Sequence, residues 1–252
     1  MNVPDTAAAT WVRAVEQGAR GRYAEAESLV APLASVRGRW SSLSLSLIAS
    51  HRRQVGDIRE AMRRDTAAWQ QACDAESRAD ALTGLAADAV ASGDLDRAVA
   101  WHDEAAADAA QDWRTLTRWH WVAAESALLA GDAPRATGHA RQALAACANR
   151  SLRHEAKSRI VLAAASGKMD ELVDVSTVLS SEGWVTLAWP LALVAADHAG
   201  QMPADALADA WEAGRGATYA IERGLPEALV PVWRAHPGVL RLRADGPAIR
   251  GG

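Results

Sequence analysis

Histidine side chains are the first candidates for chemistry in this sequence, because imidazole binds metals and carries protons near neutral pH. The chain has seven of them: His51, His102, His120, His139, His154, His198 and His236. No two have the HExxH spacing that puts two ligands on one helical turn. Adjacent pairs such as Asp197 and His198 direct their side chains to different parts of a helix. We therefore expect neither a metal site nor a cofactor.

Motifs of nucleophilic catalysis and phosphate binding are also missing. The sequence has no GxSxG elbow and no P-loop. The segment Gly214-Arg215-Gly216 lacks the third glycine and the preceding strand of a dinucleotide-binding loop, so it predicts the end of a helix. We expect a protein that is not an enzyme.

Basic residues give little indication of nucleic-acid binding. The formal net charge is −4, and residues 1–64 carry ten Arg against six acidic residues, whereas residues 65–150 carry seven Arg against thirteen. The densest run, from Arg52 to Arg64, has no interleaved aromatic residues, and helical spacing scatters its arginines over more than one face. This run predicts a solvated helix surface, and we expect no nucleic-acid partner.

Cysteine usage and apolar stretches bear on the compartment. Cys73 and Cys147 have no second cysteine near either one, which predicts buried free thiols in a reducing compartment. The opening MNVPDTAAATW lacks the pattern of a secretory leader, and the longest apolar stretch, 185–196, is too short to span a bilayer. We expect a cytoplasmic protein with no membrane partner. The preference for Ala and Arg over Phe and Lys is typical of a high-GC bacterial genome.

Three tryptophans stand close together, at Trp113, Trp119 and Trp121. On a helix, Trp119 and Trp121 cannot share one face. One interpretation is that one ring wedges between neighbouring helices while another covers alanine-rich backbone. The other is that one ring is an aromatic anchor at a binding surface, where Trp is typical of energetic hot spots.

Glycine marks the elements that carry these residues. Six times a glycine ends an alanine-rich apolar run, at Gly21, Gly56, Gly93, Gly131, Gly167 and Gly200, with intervals of 35, 37, 38, 36 and 33 residues. Apolar residues spaced three and four apart lie on both sides of Gly93 and Asp94, which predicts two amphipathic helices. Gly93 suits the left-handed conformation that ends a helix, and Asp94 can cap the next one. Each unit therefore predicts a pair of helices.

These units resemble the tetratricopeptide repeat, over residues 5 to about 214, although the intervals of 36 to 38 are longer than its standard length of roughly 34 residues. The small residue of the first helix, the turn glycine and the packing alanine of the second helix correspond to Ala49, Gly56 and Ala61, to Ala86, Gly93 and Ala98, and to Ala124, Gly131 and Ala136. The resemblance implies an all-α fold, an α-α superhelix of about six helix-turn-helix repeats with a C-terminal capping helix.

The resemblance also sets the expected organisation of the chain, a single domain over residues 1–252. Repeats are expected at about 5–38, 39–74, 75–110, 111–149, 150–182 and 183–214, followed by a cap at 217–236 and an extended tail at 237–252. In the cap, we expect Leu225, Leu229, Val232 and Trp233 to pack around Leu207 and Trp211. Deletion of residues 238–252 is then expected to be nearly silent.

In tetratricopeptide proteins the first helix of each pair lines an inner groove. Counting back from the turn glycines of the second to fifth repeats carries the family's groove positions onto Ser46, Ser50, Arg53, Asp80, Thr83, Arg118, Trp121, Glu125, His154 and Lys157. The resemblance implies that six of these contact a partner: Arg53, Arg118, Trp121, Glu125, His154 and Lys157. Arg118, Trp121, His154 and Lys157 form a basic and aromatic patch that could hold a carboxylate-bearing peptide.

Two alternatives to partner binding in the groove stay open. The polar residues could simply line a solvated concave face, or the cap helix or Arg-containing tail could occupy the groove in the free protein. The Lys and Asn pattern of the chaperone-tail-binding members of the family is absent, so that ligand is not implied.

Two functions follow from the resemblance. The first is a non-enzymatic scaffold or adaptor whose concave groove binds a peptide or helix of a partner protein, with self-association as a further alternative. The second is a ligand-sensing regulatory protein, in which a peptide or small effector shifts the superhelix and modulates a transcriptional or signalling partner. An enzyme or a nucleic-acid-binding protein is the third hypothesis. Repeat proteins use one fold for unrelated ligands, so the sequence does not identify the partner.

Overall fold

The computed structural model of the chain describes residues 3–170, 172–244 and 246. Within these residues the fold is all-α, as the sequence predicts, with fourteen α-helices, two short 3-10 turns and no β-strand. None of the described helices combines the length and the apolar character needed to cross a bilayer.

Twelve of the described helices form six consecutive pairs, and the two helices of each pair contact each other. The pairs are α1 (Val3–Ala19) with α2 (Tyr23–Ala34), α3 (Arg39–Val55) with α4 (Ile58–Gln71), α5 (Ala75–Ser92) with α6 (Leu95–Ala109), α7 (Trp113–Leu129) with α8 (Ala133–Cys147), α9 (Leu152–Ser166) with α10 (Leu172–Glu182), and α11 (Val185–Asp197) with α12 (Ala204–Gly224). The first five pairs end at residues 34, 71, 109, 147 and 182. In the sixth, α12 continues ten residues past the expected end at 214.

The turn chemistry predicted for the third unit is confirmed. Gly93 has a φ of 80°, in the left-handed region, and the Asp94 carboxylate accepts a hydrogen bond from the Arg97 amide at 3.1 Å. Gly200 differs from this pattern, because it lies in a 3-10 turn (Ala199–Gln201) and its φ is not positive. The longer connection to α12 reverses the chain over several residues, so it requires no left-handed position.

The first helices of the six pairs form a closed ring. Each contacts the first helix of the next pair along the chain, and α11 contacts α1. We call α1, α3, α5, α7, α9 and α11 the inner ring. The second helices lie against it, and α12 also contacts α2, so the sixth pair touches the first pair with both of its helices.

The contact between the sixth and first pairs, here called the seam, has its own apolar core. Tyr23 from α2 and Val55 from α3 belong to one buried cluster with Trp189 and Ile221 from α11 and α12. Backbones also approach closely at the seam, since a Cβ atom on Gly224 would lie 2.1 Å from the Gly21 carbonyl oxygen. Residues far apart in sequence therefore share one core.

The segment after α12 packs against the seam, as the cap interpretation predicts. Leu225, Leu229 and Trp233 are buried in the same cluster as Trp211, and the Trp233 indole donates a hydrogen bond to the Thr218 carbonyl at 2.9 Å. Two details differ from the prediction. Residues 217–224 continue α12 rather than starting a separate element, and Leu207 belongs to a different cluster.

The prediction of an extended chain from Pro237 onward is wrong for residues 237–243. These residues form α14 (Pro237–Arg243), which follows the short helix α13 (Val230–Arg234). Val239 and Leu242 are fully buried in the seam cluster because their spacing of three puts both on one face of the helix. The rest of the predicted tail, at 245 and 247–252, lies outside the described residues.

The two cysteines differ in their surroundings. Cys147, at the end of α8, is buried as predicted. Cys73 is exposed, contrary to the prediction, because it follows the end of α4 in the link to α5 rather than lying on the apolar face of a helix.

Candidate functional site: a cavity inside the inner ring

The inner ring encloses a cavity of about 460 Å³. All of the described residues that line it belong to the inner ring, and each of the six helices contributes at least three. None of the described residues after Gly224 lines the cavity, so the cap does not occupy the groove within the described part of the chain. A cavity of this size is within the usual range for small-molecule sites, roughly 300–1,000 Å³.

Helical spacing explains how the ring directs its side chains inward. On α7 the lining residues Arg114, Arg118, Trp121 and Glu125 follow one another at intervals of four, three and four, which keeps them on one face. The N-terminus of α7 is capped by Asp112, whose carboxylate accepts hydrogen bonds from the first turn. The cap fixes where the helix starts, and the spacing of the lining residues puts them on one face.

The six residues predicted to contact a partner all line this one cavity. They are Arg53 on α3, Arg118, Trp121 and Glu125 on α7, and His154 and Lys157 on α9. Of the other groove positions, Ser50, Asp80 and Thr83 also line it, whereas Ser46 is buried outside it. Their binding role stays a prediction.

Arg53 is held by acidic residues rather than left free for a ligand. Its guanidinium lies 3.1 Å from Asp65 and 2.5 Å from Asp88, and it donates a third hydrogen bond to the Gly84 carbonyl. Burial raises the pKa of Asp65 to about 8, although Arg53 acts in the opposite direction. A Cβ atom on Gly84 would lie 2.3 Å from Asp65, so glycine makes room for the carboxylate.

Asp80 binds two cations on the cavity wall. Its carboxylate lies 3.3 Å from Arg114 and 3.0 Å from Arg118, and Arg114 also contacts Glu76 at 3.0 Å. Burial alone would raise the pKa of Asp80, but the two guanidinium groups outweigh burial and hold the pKa below its usual range. Asp80 therefore largely balances the positive charge of Arg118 at the cavity wall.

Trp121 is the aromatic centre of the patch and is only 7% exposed. Its indole donates a hydrogen bond to Ser158 at 2.8 Å, and the His154 ring stacks on it with centroids 5.3 Å apart. The Lys157 ammonium lies 4.3 Å from the Trp121 ring centroid and 3.8 Å from Glu125. Burial, reinforced by nearby cations, lowers the pKa of His154 to about 3, so its ring is neutral at pH 7.

Trp119 lies on a different face from Trp121, as the sequence predicts. Its ring stacks on His102 with centroids 3.8 Å apart, and its indole donates a hydrogen bond to the His102 carbonyl at 2.8 Å. Trp119 is thus the wedge between α6 and α7, and Trp121 is the tryptophan that faces the cavity.

Arg114 and Arg153 line the cavity but were not among the predicted positions. Arg114 lies one turn before Arg118, and Arg153 lies one turn before Lys157, so the same helical spacing could have found both. Arg114 and Arg153 were missed because the groove positions carried over from the tetratricopeptide family do not fall on them.

Trp11 on α1 and Trp189 on α11 also line the cavity and had no predicted role there. Both come from the helices that meet at the seam, and only the closure of the ring brings them to the same cavity as Trp121. Trp11 lies ten residues before Gly21, just as Trp121 lies ten residues before Gly131, so counting back from Gly21 could have found Trp11. Trp189 lies eleven residues before Gly200 and falls outside that count.

No group of His, Cys, Asp and Glu side chains suited to a metal ion occurs in the described part of the chain. No model of a known protein family matches the sequence, and no curated protein sequence is significantly similar to it. The cavity is therefore interpreted from its own side chains: five cations (Arg53, Arg114, Arg118, Arg153 and Lys157), two carboxylates (Asp80 and Glu125), neutral His154 and a largely apolar remainder.

Proposed function

We propose that the protein is a non-enzymatic binding protein of the tetratricopeptide type, in which the helix pairs follow a superhelix and the inner helices hold a segment of a partner protein. One observation carries the proposal: the six residues that the resemblance assigns to partner contact all line a single cavity. In the proposed mechanism, Trp121 supplies apolar contact area while Lys157 and Arg118 attract acidic groups.

The size of the cavity restricts the form of the partner segment. The cavity of about 460 Å³ is open on part of its surface. A few residues in extended conformation fit this volume, so we propose a short extended peptide as the partner segment, and a helix of the partner lying across the opening is the alternative.

Affinity capture with matched variants tests this proposal. Trp121→Ala with Lys157→Gln alters the inner surface, whereas Trp69→Ala with Arg97→Gln removes a tryptophan and a basic residue from exposed positions on α4 and α6. Proteins that bind the wild type and the outer variant but not the inner variant support the proposal. Melting curves of all three proteins establish that each is folded. Equal capture by the inner and outer variants would reject the groove.

The segment of a captured protein is then mapped with synthetic peptides. Each peptide is titrated into the protein while the tryptophan fluorescence is recorded, since Trp11, Trp121 and Trp189 all line the cavity. A peptide that binds the wild type and loses affinity by about tenfold or more in the inner variant identifies the segment.

A ligand-sensing regulatory protein is the second candidate, and the seam favours it. A ligand in the cavity would touch α1 and α11, the two inner helices that meet there, and could thereby tighten or loosen their contact. Small-angle scattering with and without the ligand tests this candidate. An unchanged radius of gyration and unchanged hydrogen exchange in α1 and α11 would leave only the scaffold.

A further inference from the structure

Three cations meet where α7 and α9 face the cavity: Arg118, Arg153 and Lys157. Asp80 contacts Arg118 at 3.0 Å, and Glu125 lies 3.8 Å from Lys157. None of the described acidic side chains is paired with Arg153. The group therefore carries one positive charge more than its carboxylates balance.

Arg153 also lacks a neighbour that could balance its charge. Its Nε atom is buried without a hydrogen-bond partner in the described structure. Tyr23 is the nearby group that favours the charged form of Arg153, but burial raises the pKa of Tyr23, so its phenol is neutral and its hydroxyl donates to Gln54 at 2.7 Å. The other neighbour, Arg118, is itself a cation and therefore cannot balance the charge of Arg153.

The Arg153 side chain as a whole is half-buried, but its Nε–H group is shielded from water and has no acceptor, which is costly for a guanidinium. Burial and the neighbouring Arg118 lower the pKa of Arg153, yet an arginine side chain stays protonated at any pH at which proteins fold. It cannot relieve the cost by losing its proton, as a lysine would. An anion held in the cavity is the arrangement that would balance the charge.

The remaining wall is suited to an apolar body. Ile160, Leu187 and Val194 line the cavity together with the rings of Trp11 and Trp189. A ligand that filled this space would be polar at one end, near Arg153, and apolar over the rest of its surface.

We infer that the cavity contains a subsite for a single carboxylate, formed by Arg153 together with Arg118 and Lys157, and that it takes an apolar monocarboxylic acid. A carboxylate has one charge, equal to the excess, and two oxygens that match the guanidinium fork. A phosphate dianion would carry one charge too many. The inference rests on one part of the proposed function, namely that a ligand binds in this cavity.

Two sources can supply this chemistry: a free small acid taken whole into the cavity, or the carboxyl end of a peptide with an apolar last residue. Calorimetric titration of the full-length protein distinguishes them. The probes are octanoate with its matched amide, octanamide, and acetyl-Gly-Leu with its C-terminal amide. We expect the acid of at least one pair to bind about tenfold or more tightly than its amide.

The variant Arg153→Gln tests the assignment of the subsite. It removes the unpaired charge, so we expect it to fold and to melt no lower than the wild type, while the preference for acid over amide disappears. Arg141→Gln, an exposed change on α8 outside the cavity, is the matched control and should bind like the wild type. Arg153→Lys keeps the charge without the fork and should retain part of the preference.

Each outcome bears on the inference separately from the proposed function. Equal binding of acid and amide by the wild type, an acid preference that survives Arg153→Gln, or failure of both acids to bind at millimolar concentration would overturn it. Acid binding without any captured protein partner would reject the proposed function and leave the subsite standing. If octanoate binds and acetyl-Gly-Leu does not, the ligand is a small free acid. If both acids bind, the subsite also accepts the carboxyl end of a peptide.

Discussion

The Thr186 hydroxyl donates a hydrogen bond to the Ala19 carbonyl oxygen at 3.0 Å, although the two residues are 167 positions apart. The donor lies near the start of α11 and the acceptor at the end of α1, so this bond ties the sixth helix pair to the first. Because Thr186 also lines the cavity, the seam and the candidate site share a side chain.

Thr186→Val should destabilise the protein by about 1–2 kcal/mol, because it leaves a buried carbonyl without this donor. Thr137→Val is the matched control, since Thr137 makes the same kind of bond to the Ala165 carbonyl between α8 and α9, away from the seam. Urea unfolding measures the loss in both variants. Only Thr186→Val should speed hydrogen exchange in α1 and α11, and equal exchange in the two variants would contradict a closed seam.

Gly224→Ala should destabilise the protein by about 1–3 kcal/mol, because the added Cβ atom would meet the Gly21 carbonyl. Gly216→Ala adds the same methyl group to the same helix at a position with nothing within 4 Å. That control should be neutral or stabilising by up to about 1 kcal/mol, since alanine favours helix. Thermal melts of the two variants should move in opposite directions, and a parallel shift would argue against close backbone contact at the seam.

Leu242→Ala should cost about 2–5 kcal/mol, the usual range for a fully buried leucine. Leu240→Ala, two residues earlier on α14 and 57% exposed, should change stability by less than about 0.5 kcal/mol. Deletion of residues 238–252 should therefore destabilise the protein, contrary to the sequence-based expectation. Denaturant midpoints compare the three variants. A deletion as stable as the wild type would show that α14 contributes nothing to the seam core.

Stability should fall as the pH drops from about 6.5 to about 4. Burial lowers the pKa values of His102 and His120 to about 4, whereas an unfolded histidine titrates near 6.5. The unfolded state therefore binds protons first, and the stabilisation present above pH 6.5 is lost as the pH falls. His120→Gln should flatten this dependence when unfolding free energies are measured from pH 7.5 to 4.5. An unchanged slope would exclude His120 as a source.

Arg53→Leu should destabilise the protein by about 3–5 kcal/mol, because it leaves two buried carboxyl groups without their cation. Arg63→Leu removes an exposed arginine paired with Glu60, so its denaturant midpoint should stay close to that of the wild type. Chemical unfolding measures both. A small effect of Arg53→Leu would return Arg53 to the group of side chains available to a ligand.

Local periodicity predicted most of the fold. Glycine spacing gave the helix pairs, and the Gly93-Asp94 turn was predicted in its details, because helix ends depend on nearby backbone groups. The α14 helix was missed because proline and glycine were taken to break the pattern, although proline is favourable in the first helical turn.

Closure of the ring could not be predicted in the same way. It depends on pairs such as Thr186 and Ala19, whose contact follows from the summed rotation of all six units rather than from any one of them. The candidate site shows the same division. Trp121 and Lys157, which were singled out by counting back along one helix, line the cavity, and the same count from Gly21 reaches Trp11. Trp189 falls outside that count and lies beside the other rings only because the ring closes.

A closed inner ring also restricts how such a chain can change its length. An open stack of helix pairs tolerates duplication or loss of a unit, because only one neighbour is affected at its end. Here every inner helix has a neighbour on both sides, and an inserted pair would separate α11 from α1 and divide the core that Tyr23 and Ile221 share. New binding specificity in this architecture must therefore arise by substitution on the inner faces, with the number of units held constant.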